Sequence, residues 1–525
     1  MNVLGWGELG KGPPRRALAT LALLLLVTAV GSYGYFHPDE HFQVLEFAGY
    51  KLGRTQLAEL PWEHRAEMRP WLQPALYVGI AKALSFASPT GFSLALVYRL
   101  LSAALFFGAF VRVARRMGEG LASVEAFRAH WLVCSMVSVI PYLAVRPSSE
   151  SLTTSMFLFA VFPWLGPSAE QPKLSSVFLS GIFMGLSFEM RYQSAFFGVG
   201  LLAHMVFVRR VGLRALWAWC TGGVLSVGVG TLADVWGYGH WVCAPYRYLH
   251  QNLFQGVAAS FGTEPFFAYL YLPIANVAAP TALLLLLGLG CFCVRAPRHA
   301  LSLSSLVFFV GHSAIAHKEE RFMFPLVPLA TVALVPAFAQ GLPDASGPAR
   351  HAARLGAWLF ARRRSLGAKC LYAANVAALA LLALYPLNWR SQTRIYKFLE
   401  HERVGAFVYF EGDRPEWCPF YMSRPFRRVA LKTPRCVGPE LGDGPAYLLT
   451  QGRVDEAALG VRATWVFSDF PLARWPGGGA ALQRARSVNG WLRDSVSPRV
   501  PTFAWLDLYR IEPSSCPAAT NAPAQ

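Results

Sequence analysis

The sequence predicts a polytopic α-helical membrane protein that carries a small α/β extramembrane domain at its C-terminal end. Of its 525 residues, 54% are hydrophobic and only 15% are charged, and the mean hydropathy is +0.35. Apolar runs of membrane-spanning length recur between residues 17 and 388. The formal net charge is +18, but Lys and Arg lie in short clusters between these runs. Such clusters orient helices in a membrane and do not indicate nucleic-acid binding.

About eleven membrane-spanning helices are expected if the basic clusters are cytosolic. The first, 17–36, is predicted to be a retained helix, because it is longer than a signal-peptide core and no small-residue cleavage site follows it. The remaining predicted spans are 92–111, 129–145, 150–166, 175–189, 194–208, 215–233, 266–294, 300–316, 322–340 and 371–388. This topology brings the loops that are rich in polar residues to the non-cytosolic side.

The first outer loop, residues 37–91, begins with two adjacent carboxylates in the string His37-Pro38-Asp39-Glu40-His41-Phe42-Gln43. An ordinary helix start explains part of this pattern, because Pro suits the first turn and acidic residues complement the helix dipole. A carboxylate pair at the mouth of a membrane helix can also act as a general base. An apolar stripe of Phe42, Phe47 and Tyr50 predicts a short helix on the membrane surface. A second such surface helix is predicted at residues 71–85.

A second charged string, His317-Lys318-Glu319-Glu320-Arg321-Phe322, lies between two apolar runs. Lys318 and Arg321 can bind a phosphate or diphosphate, and His317 can donate to the same oxygens. The glutamates can orient these cations. An ordinary charged turn is the alternative interpretation.

Further polar residues lie in the other loops on the predicted outer side. The segment 234–270 combines aromatic residues, which suit sugar stacking or a membrane interface, with Asp234 at a helix end. Arg146 and Arg191 are candidate ligand contacts, although a structural pair between Glu150 and Arg191 is an equal alternative. The predicted substrate-binding residues are His37, Gln43, Arg146, Arg191, Asp234, Tyr238 and Glu264.

The two charged strings, together with the segment 234–267 and its Tyr-Gly and Gly-Thr-Glu-Pro sequences, resemble glycosyltransferase family 22. That family comprises the GT-C-fold mannosyltransferases of GPI-anchor and N-glycan assembly, and the His-Pro-Asp-Glu-x-Phe-Gln form is most similar to the GPI branch. The resemblance spans residues 17–340. The chain departs from it at 146–150, where it has Arg-Pro-Ser-Ser-Glu and the family often has Arg-Thr-x-Ser-Asn.

The resemblance implies an inverting transfer of mannose, or a related hexose, from a polyprenyl- or dolichyl-phosphate donor to a glycolipid acceptor. By this analogy Asp39 is the base, with Glu40 as its partner or substitute, and His317, Lys318 and Arg321 bind the donor phosphate. The site would face the periplasm at a bacterial inner membrane or the lumen of the endoplasmic reticulum. The rival functions are a lipid-linked glycan transporter or flippase and a GT-C transferase of another sugar; we see no internal repeat of the kind common in transporters.

No cofactor is expected, and the scattered cysteines, including Cys291-x-Cys293, do not have the spacing of metal ligands.

The composition changes at residue 388. The transmembrane catalytic domain is therefore predicted at 1–388, an α/β domain at 389–512 and a disordered tail at 513–525. Strands are expected at 405–410, 446–450, 463–467 and 503–511. Cys418 and Cys436 are candidates for a disulfide in an oxidising compartment.

Overall fold

The computed structural model describes residues 13–339 apart from 33, 122, 168, 169, 277 and 278. It also describes 366–384, then 390–468 apart from 403, 414, 415, 425, 443 and 451–453, and finally 506–514. Most of the basic stretch 350–369, and the tail beyond residue 514, lie outside the described residues. The predicted tail begins too early, because Pro513 ends a strand.

A helix overlaps each of the predicted spans. Their bounds are Arg15–Gly31, Gly91–Glu119, Val124–Met136, Ser149–Val161, Leu174–Met190, Tyr192–Val208, Leu213–Tyr238, Ala279–Arg295, Ala300–Ala314, Leu326–Ala339 and Leu366–Leu384. Two of them, Gly91–Glu119 with 29 residues and Leu213–Tyr238 with 26, are long and apolar enough to cross a membrane by length and composition. The number of spans stays a prediction.

Several predicted spans differ in their bounds from the helices observed, 17–36 and 266–294 among them. The first helix ends at Gly31, before residue 36, and the chain then turns through Gly34 at φ +74°, a backbone angle that favours glycine. The span predicted at 266–294 begins with two short helical segments, Ala268–Leu270 and Leu272–Asn276, before the helix Ala279–Arg295.

Close helix packing positions the second of the long helices. A Cβ atom at Gly181 would lie 2.0 Å from the carbonyl oxygen of Trp219, and one at Gly222 would lie 2.4 Å from that of Phe178. Because glycine has no side chain, the helices Leu174–Met190 and Leu213–Tyr238 can approach each other at backbone distance. The end of Leu213–Tyr238 lies beside the first outer loop, where a Cβ atom at Gly237 would lie 2.1 Å from the ring of Trp71.

The first outer loop forms a chain of short helices. Pro38–Glu40 continues through a π-helical turn, His41–Leu45, into Glu46–Lys51. Four further segments follow at Leu57–Glu59, Trp62–Arg65, Leu72–Ala83 and Ser85–Ala87. The apolar stripe of Phe42, Phe47 and Tyr50 is covered by protein only in part, since Phe42 and Tyr50 are half-buried. Phe47 is fully buried, and its ring centroid lies 4.9 Å from that of Trp71. The prediction of a surface helix is therefore wrong for this residue.

A five-stranded mixed sheet follows the helix Arg390–His401. Its strands are β1 (Ala406–Phe410), β2 (Arg427–Leu431), β3 (Ala446–Thr450), β4 (Val461–Ser468) and β5 (Asp507–Pro513). They lie in the order β2-β1-β3-β5-β4, with β1 parallel to β2 and β3, and β5 antiparallel to β3 and β4. Four strands coincide with predicted segments. The edge strand β2 was not expected, because only Val429 and Leu431 of its five residues are buried.

The loop that precedes β2 packs against the first part of the chain. The backbone N–H of Phe420 donates to the carboxylate of Glu46 at 3.2 Å, and a Cβ at Gly91 would lie 2.2 Å from the carbonyl oxygen of Phe420. Cys418, in the same loop, is a buried free cysteine, whereas Cys436 is disulfide-bonded. The predicted disulfide between these two cysteines is therefore wrong.

Candidate active site

A cavity of about 840 Å³ lies between the first outer loop and the loops that follow residue 190. One part of its wall is charged and polar: His37, Asp39, Gln43, Glu63, Arg69, Arg191, Gln193, Tyr248, His317, Glu319 and Arg321. Another part is apolar and aromatic: Phe188, Phe196, Tyr246, Leu249, Leu253, Phe261 and Phe322. The cavity can therefore hold a ligand with one charged end and one apolar end.

Arg321 lies at the centre of the charged wall. Its Nη2 donates to Asp39 Oδ2 at 2.6 Å, its Nε donates to Glu319, and its Nη1 lies 3.5 Å from Glu150 Oε1. The planar guanidinium suits this arrangement, because its five N–H groups can hold several carboxylates at fixed angles. One cation thus joins the two charged strings that the sequence singles out.

Asp39 has further basic neighbours besides Arg321. Arg69 Nη2 lies 3.9 Å from its Oδ2, and His37 Nδ1 lies 3.6 Å from its Oδ1. Burial opposes ionisation of this carboxyl, but Arg321 and His37, followed by Arg69, more than offset that effect and hold the pKa of Asp39 well below its usual range. The group is a carboxylate in this structure.

His317 has acceptors on both sides of its ring. Nδ1 lies 3.0 Å from the carbonyl oxygen of Gly262, and Nε2 lies 2.8 Å from Glu319 Oε1. Neither oxygen can donate, so both nitrogens make hydrogen bonds only in the imidazolium form. The Glu319 hydrogen bond accordingly raises the pKa of His317 above its ordinary value, although burial opposes this. These two acceptors thus favour the imidazolium form of His317, beside the arginines of the cavity wall.

Lys318 does not line the cavity. Its ammonium donates to two backbone carbonyls, Glu264 O at 3.0 Å and Ile315 O at 2.7 Å, and only 2% of the residue is exposed. The backbone N–H of Glu264 also donates to Ala316 O at 3.0 Å. In this structure Lys318 thus connects two loops of the site instead of pointing at a ligand.

Glu40 lies behind Asp39 and faces a separate, small space. Its Oε1 is 3.4 Å from Arg146 Nη1, and its Oε2 accepts from the backbone N–H of Phe36 at 3.1 Å. Arg146 also donates to Gly34 O at 2.8 Å and Ser32 Oγ at 2.7 Å. Burial raises the pKa of Glu40, and Arg146 only partly offsets this. The structure thus separates the adjacent carboxylates: Asp39 reaches the 840 Å³ cavity and Glu40 does not.

Arg191 and Gln43 both reach the cavity and both have protein partners. Arg191 Nη1 donates to Glu150 Oε1 at 2.8 Å, which is the structural pair that the sequence offered as an alternative. Gln43 Nε2 donates to Glu63 Oε1 at 2.8 Å. Because Glu150 also approaches Arg321, the ion pairs form one continuous network along the wall.

The remaining predicted substrate contacts hold the loops in place. Asp234 Oδ1 accepts from the backbone N–H of Trp71 at 2.7 Å, just before the helix Leu72–Ala83 begins. The Tyr238 hydroxyl accepts from the N–H of Arg69 at 3.2 Å and donates to its carbonyl at 2.9 Å. Glu264 Oε2 accepts from the Tyr271 hydroxyl at 2.7 Å. None of the three is among the described residues that line the cavity.

Arg69, Glu63 and Tyr248 line the cavity but were not predicted. Arg69 lies 3.5 Å from Glu63 and stacks over the Tyr248 ring at 5.5 Å, and Gln193 donates to the Tyr248 hydroxyl. Arg69 directly precedes Pro70 and Trp71, and an arginine before a proline in a predicted outer loop was the available signal. Its role depends on contacts with distant residues, which spacing along the chain does not reveal.

The comparisons with known proteins agree on one family. The model of the Alg9-like mannosyltransferase family matches residues 17–388. GPI mannosyltransferase 3 of Yarrowia lipolytica is 27% identical over 333 residues, which cover 62% of this chain and 62% of that protein. GPI alpha-1,2-mannosyltransferase 3 of Danio rerio is 24% identical over 332 residues, covering 59% and 57%. The matched region thus spans less than two thirds of these relatives.

Among solved structures, ArnT from Cupriavidus metallidurans bound to undecaprenyl phosphate aligns with a TM-score of 0.48 and 12% identity. The alignment covers 82% of this chain and 92% of that one.

Proposed function

The chain belongs to the Alg9-like mannosyltransferase family, and from this premise we propose that it transfers mannose from a polyprenyl-phosphate donor to a glycolipid acceptor with inversion. The observation that carries the proposal is the direct contact between Asp39 and Arg321 in a cavity that is charged at one end and apolar at the other. A base and a phosphate-binding cation are the two groups that this reaction needs. We extend the proposal to a GT-C arrangement of the membrane helices.

The proposed reaction is a single displacement at the anomeric carbon. The acceptor hydroxyl oxygen attacks C1 of mannose, and Asp39 takes the hydroxyl proton. The bond between C1 and the phosphate oxygen breaks, and its electron pair leaves with the polyprenyl phosphate. Attack from the face opposite the leaving group inverts the configuration at C1.

The leaving phosphate requires positive charge that is already in position. Arg321, Arg69 and the imidazolium of His317 supply it at the charged wall. Arg321 is held by carboxylates in the structure, so an incoming phosphate competes with Asp39 for its Nη2. We propose that this exchange frees the Asp39 carboxylate from its strongest partner and makes it a better base only when the donor is bound.

The apolar wall is suited to the lipid part of the donor. Leu253 and Phe261 line it and are 53% and 62% exposed, and the neighbouring Phe254 is 72% exposed. Exposed aromatic and aliphatic side chains are typical of surfaces that contact lipid or its headgroup region. A prenyl chain can enter along this wall while its phosphate reaches the cations.

We place the site on the non-cytosolic side, either in the periplasm or in the lumen of the endoplasmic reticulum. Charge topology supports this side, since the loops that form the cavity lie opposite the basic clusters. The disulfide at Cys436 is of the kind that forms in oxidising compartments.

The test is a transfer assay on membranes that contain the full chain. Mannose labelled on a polyprenyl phosphate should appear in a glycolipid, identified by mass spectrometry, and membranes without the protein should lack that product. Label transferred from a nucleotide sugar, with synthesis of polyprenyl-phosphate mannose blocked, would contradict the proposed donor. Movement of a lipid-linked glycan across the membrane without transfer would instead indicate the transporter.

Lys318→Met distinguishes a loop-positioning role from contact with the donor phosphate. Because the ammonium bonds to Glu264 O and Ile315 O, its removal is expected to loosen the loops and lower kcat about tenfold, with little change in the KM for the donor. Steady-state kinetics with varied donor concentration measure both constants. A rise of about tenfold in the KM for the donor, with unchanged kcat, would instead indicate that Lys318 binds the donor phosphate.

A further inference from the structure

A second cluster of chemically reactive side chains lies beneath the catalytic segment, outside the cavity. His41, Glu46 and Cys418 are all buried, with exposed fractions of 0%, 0% and 1%. Their donor atoms, a ring nitrogen, a carboxylate oxygen and a thiol sulfur, lie within 4.8 Å of one another. His41 Nε2 is 2.6 Å from Glu46 Oε1. The first two residues belong to the first outer loop and the third belongs to the C-terminal part of the chain.

The hydrogen bonds around this cluster leave one atom without a partner. Glu46 accepts from the Thr55 hydroxyl at 2.5 Å and from the backbone N–H of Phe420 at 3.2 Å. His41 Nδ1, however, is buried and has no hydrogen-bond partner among the described residues. The His41 ring lies stacked between those of Tyr35 and Tyr421, at 5.2 Å from each.

The charge of Glu46 is also incompletely balanced. Among the described residues no Lys or Arg forms an ion pair with it, and His41 is its only basic partner. If His41 is neutral, a fully buried carboxylate lacks a countercharge, which is costly. If His41 is protonated on both nitrogens, Nδ1–H is a buried donor without an acceptor. A metal ion bound at Nε2 would leave the Nδ1–H donor as it is, so the missing countercharge of Glu46, together with the three adjacent donor atoms, is the feature that points to a cation.

We propose that His41, Glu46 and Cys418 bind a divalent cation of the Zn²⁺ class. A neutral imidazole, a carboxylate and a thiolate are the donors that zinc takes in proteins. The thiolate and the carboxylate together carry two negative charges, which a divalent ion balances. On binding, the Cys418 thiol loses its proton to solvent as the sulfur–metal bond forms, and the thiol no longer donates to Glu416 O at 3.6 Å.

The geometry requires a small adjustment. Zinc–ligand bonds of about 2.0–2.3 Å put the ligands of a tetrahedral site about 3.3–3.7 Å apart, so the 2.6 Å contact between His41 and Glu46 must open by about 0.7–1.1 Å. The spacing of 3.6 Å between Cys418 Sγ and Glu416 O falls within that range, so this carbonyl is the candidate fourth ligand. The ion would fix the helical segment that begins at Pro38, three residues before His41, to the loop before β2.

Metal analysis of the purified full chain tests the proposal. The wild-type protein, prepared in detergent without chelators, is expected to contain about one zinc ion per chain by elemental mass spectrometry. Cys418→Ser and His41→Ala should each lose it. Cys134→Ser is the matched control, because Cys134 is also buried and also has a histidine beside it, His130 Nε2 at 3.7 Å, but has no carboxylate partner. This control should retain the ion.

Replacement of the bound ion by Co²⁺ provides a second measurement that needs no variant. The wild-type protein should show a thiolate-to-cobalt charge-transfer band, and chelation should abolish the band and lower Tm. Folded wild-type protein that takes up no stoichiometric Zn²⁺ or Co²⁺, or a Cys418→Ser variant that keeps its ion, would overturn the proposal. Because metal content is measured without sugar transfer, this result is independent of the function proposed above.

Discussion

Asp39→Asn is expected to lower the rate of mannose transfer about 10³-fold, the range typical for removal of a general base. The amide keeps the size of the side chain but cannot accept the hydroxyl proton. The fold should persist, because Arg321 retains Glu150 and Glu319 as partners. Single-turnover transfer with bound donor measures the chemical step, and Tm in detergent verifies that the variant is folded.

Glu40→Gln is the matched comparison for this substitution. Glu40 accepts from Arg146 on one carboxylate oxygen and from the N–H of Phe36 on the other. The amide of glutamine has a single acceptor oxygen, so it keeps only one of these two hydrogen bonds. We expect a rate loss of less than tenfold, since Glu40 does not reach the cavity. If Glu40→Gln proved more damaging than Asp39→Asn while both variants remained folded, Glu40 would be the base and the assignment of Asp39 would be wrong.

Arg321→Gln is expected to show the largest effect on stability, about 3–5 kcal/mol, together with loss of transfer. The substitution leaves Asp39, Glu150 and Glu319 close together without their shared cation. Adding Glu319→Gln should recover part of the lost stability, because one negative charge is removed. The double-mutant cycle should therefore give a coupling of about 0.5–3 kcal/mol.

An exposed arginine provides the control for this cycle. Arg115 contacts Glu119 one helical turn away at 3.2 Å, and Arg115→Gln should cost only about 0.3–0.5 kcal/mol. Unfolding in a denaturing detergent series measures all variants on one scale. A stability of Arg321→Gln equal to that of Arg115→Gln would show that the three carboxylates do not depend on Arg321.

The sequence predicted the meeting of Asp39 and Arg321, because charge topology brought both strings to one side of the membrane. It did not predict the direction of each side chain. Lys318 lies next to His317 in the chain, yet its ammonium reaches backbone carbonyls and does not line the cavity. Adjacent residues of a turn or helix point in different directions, so a motif alone cannot assign a role to each of its members.

Other contacts between distant parts of the chain were not predicted. Asp234 and Tyr238 looked like ligand contacts, but they bond to the backbone of Trp71 and Arg69, more than 160 residues earlier. The cluster of His41, Glu46 and Cys418 was missed for the same reason, since metal-site patterns are recognised by short spacing along the chain. Only the fold brings Cys418 to the other two.

The packing of the loop before β2 against Gly91 and Glu46 has a consequence for how such enzymes diversify. A C-terminal part taken from a relative by recombination would have to bring a loop that fits both the glycine and the carboxylate. A chimera that ignores this match would disturb the segment that carries Asp39, even though every residue of the cavity wall were retained. New acceptor preferences are therefore expected to arise when the first outer loop and the C-terminal part change together. Chimeras that keep the loop before β2 matched to the first outer loop should fold, whereas chimeras that mismatch them should not.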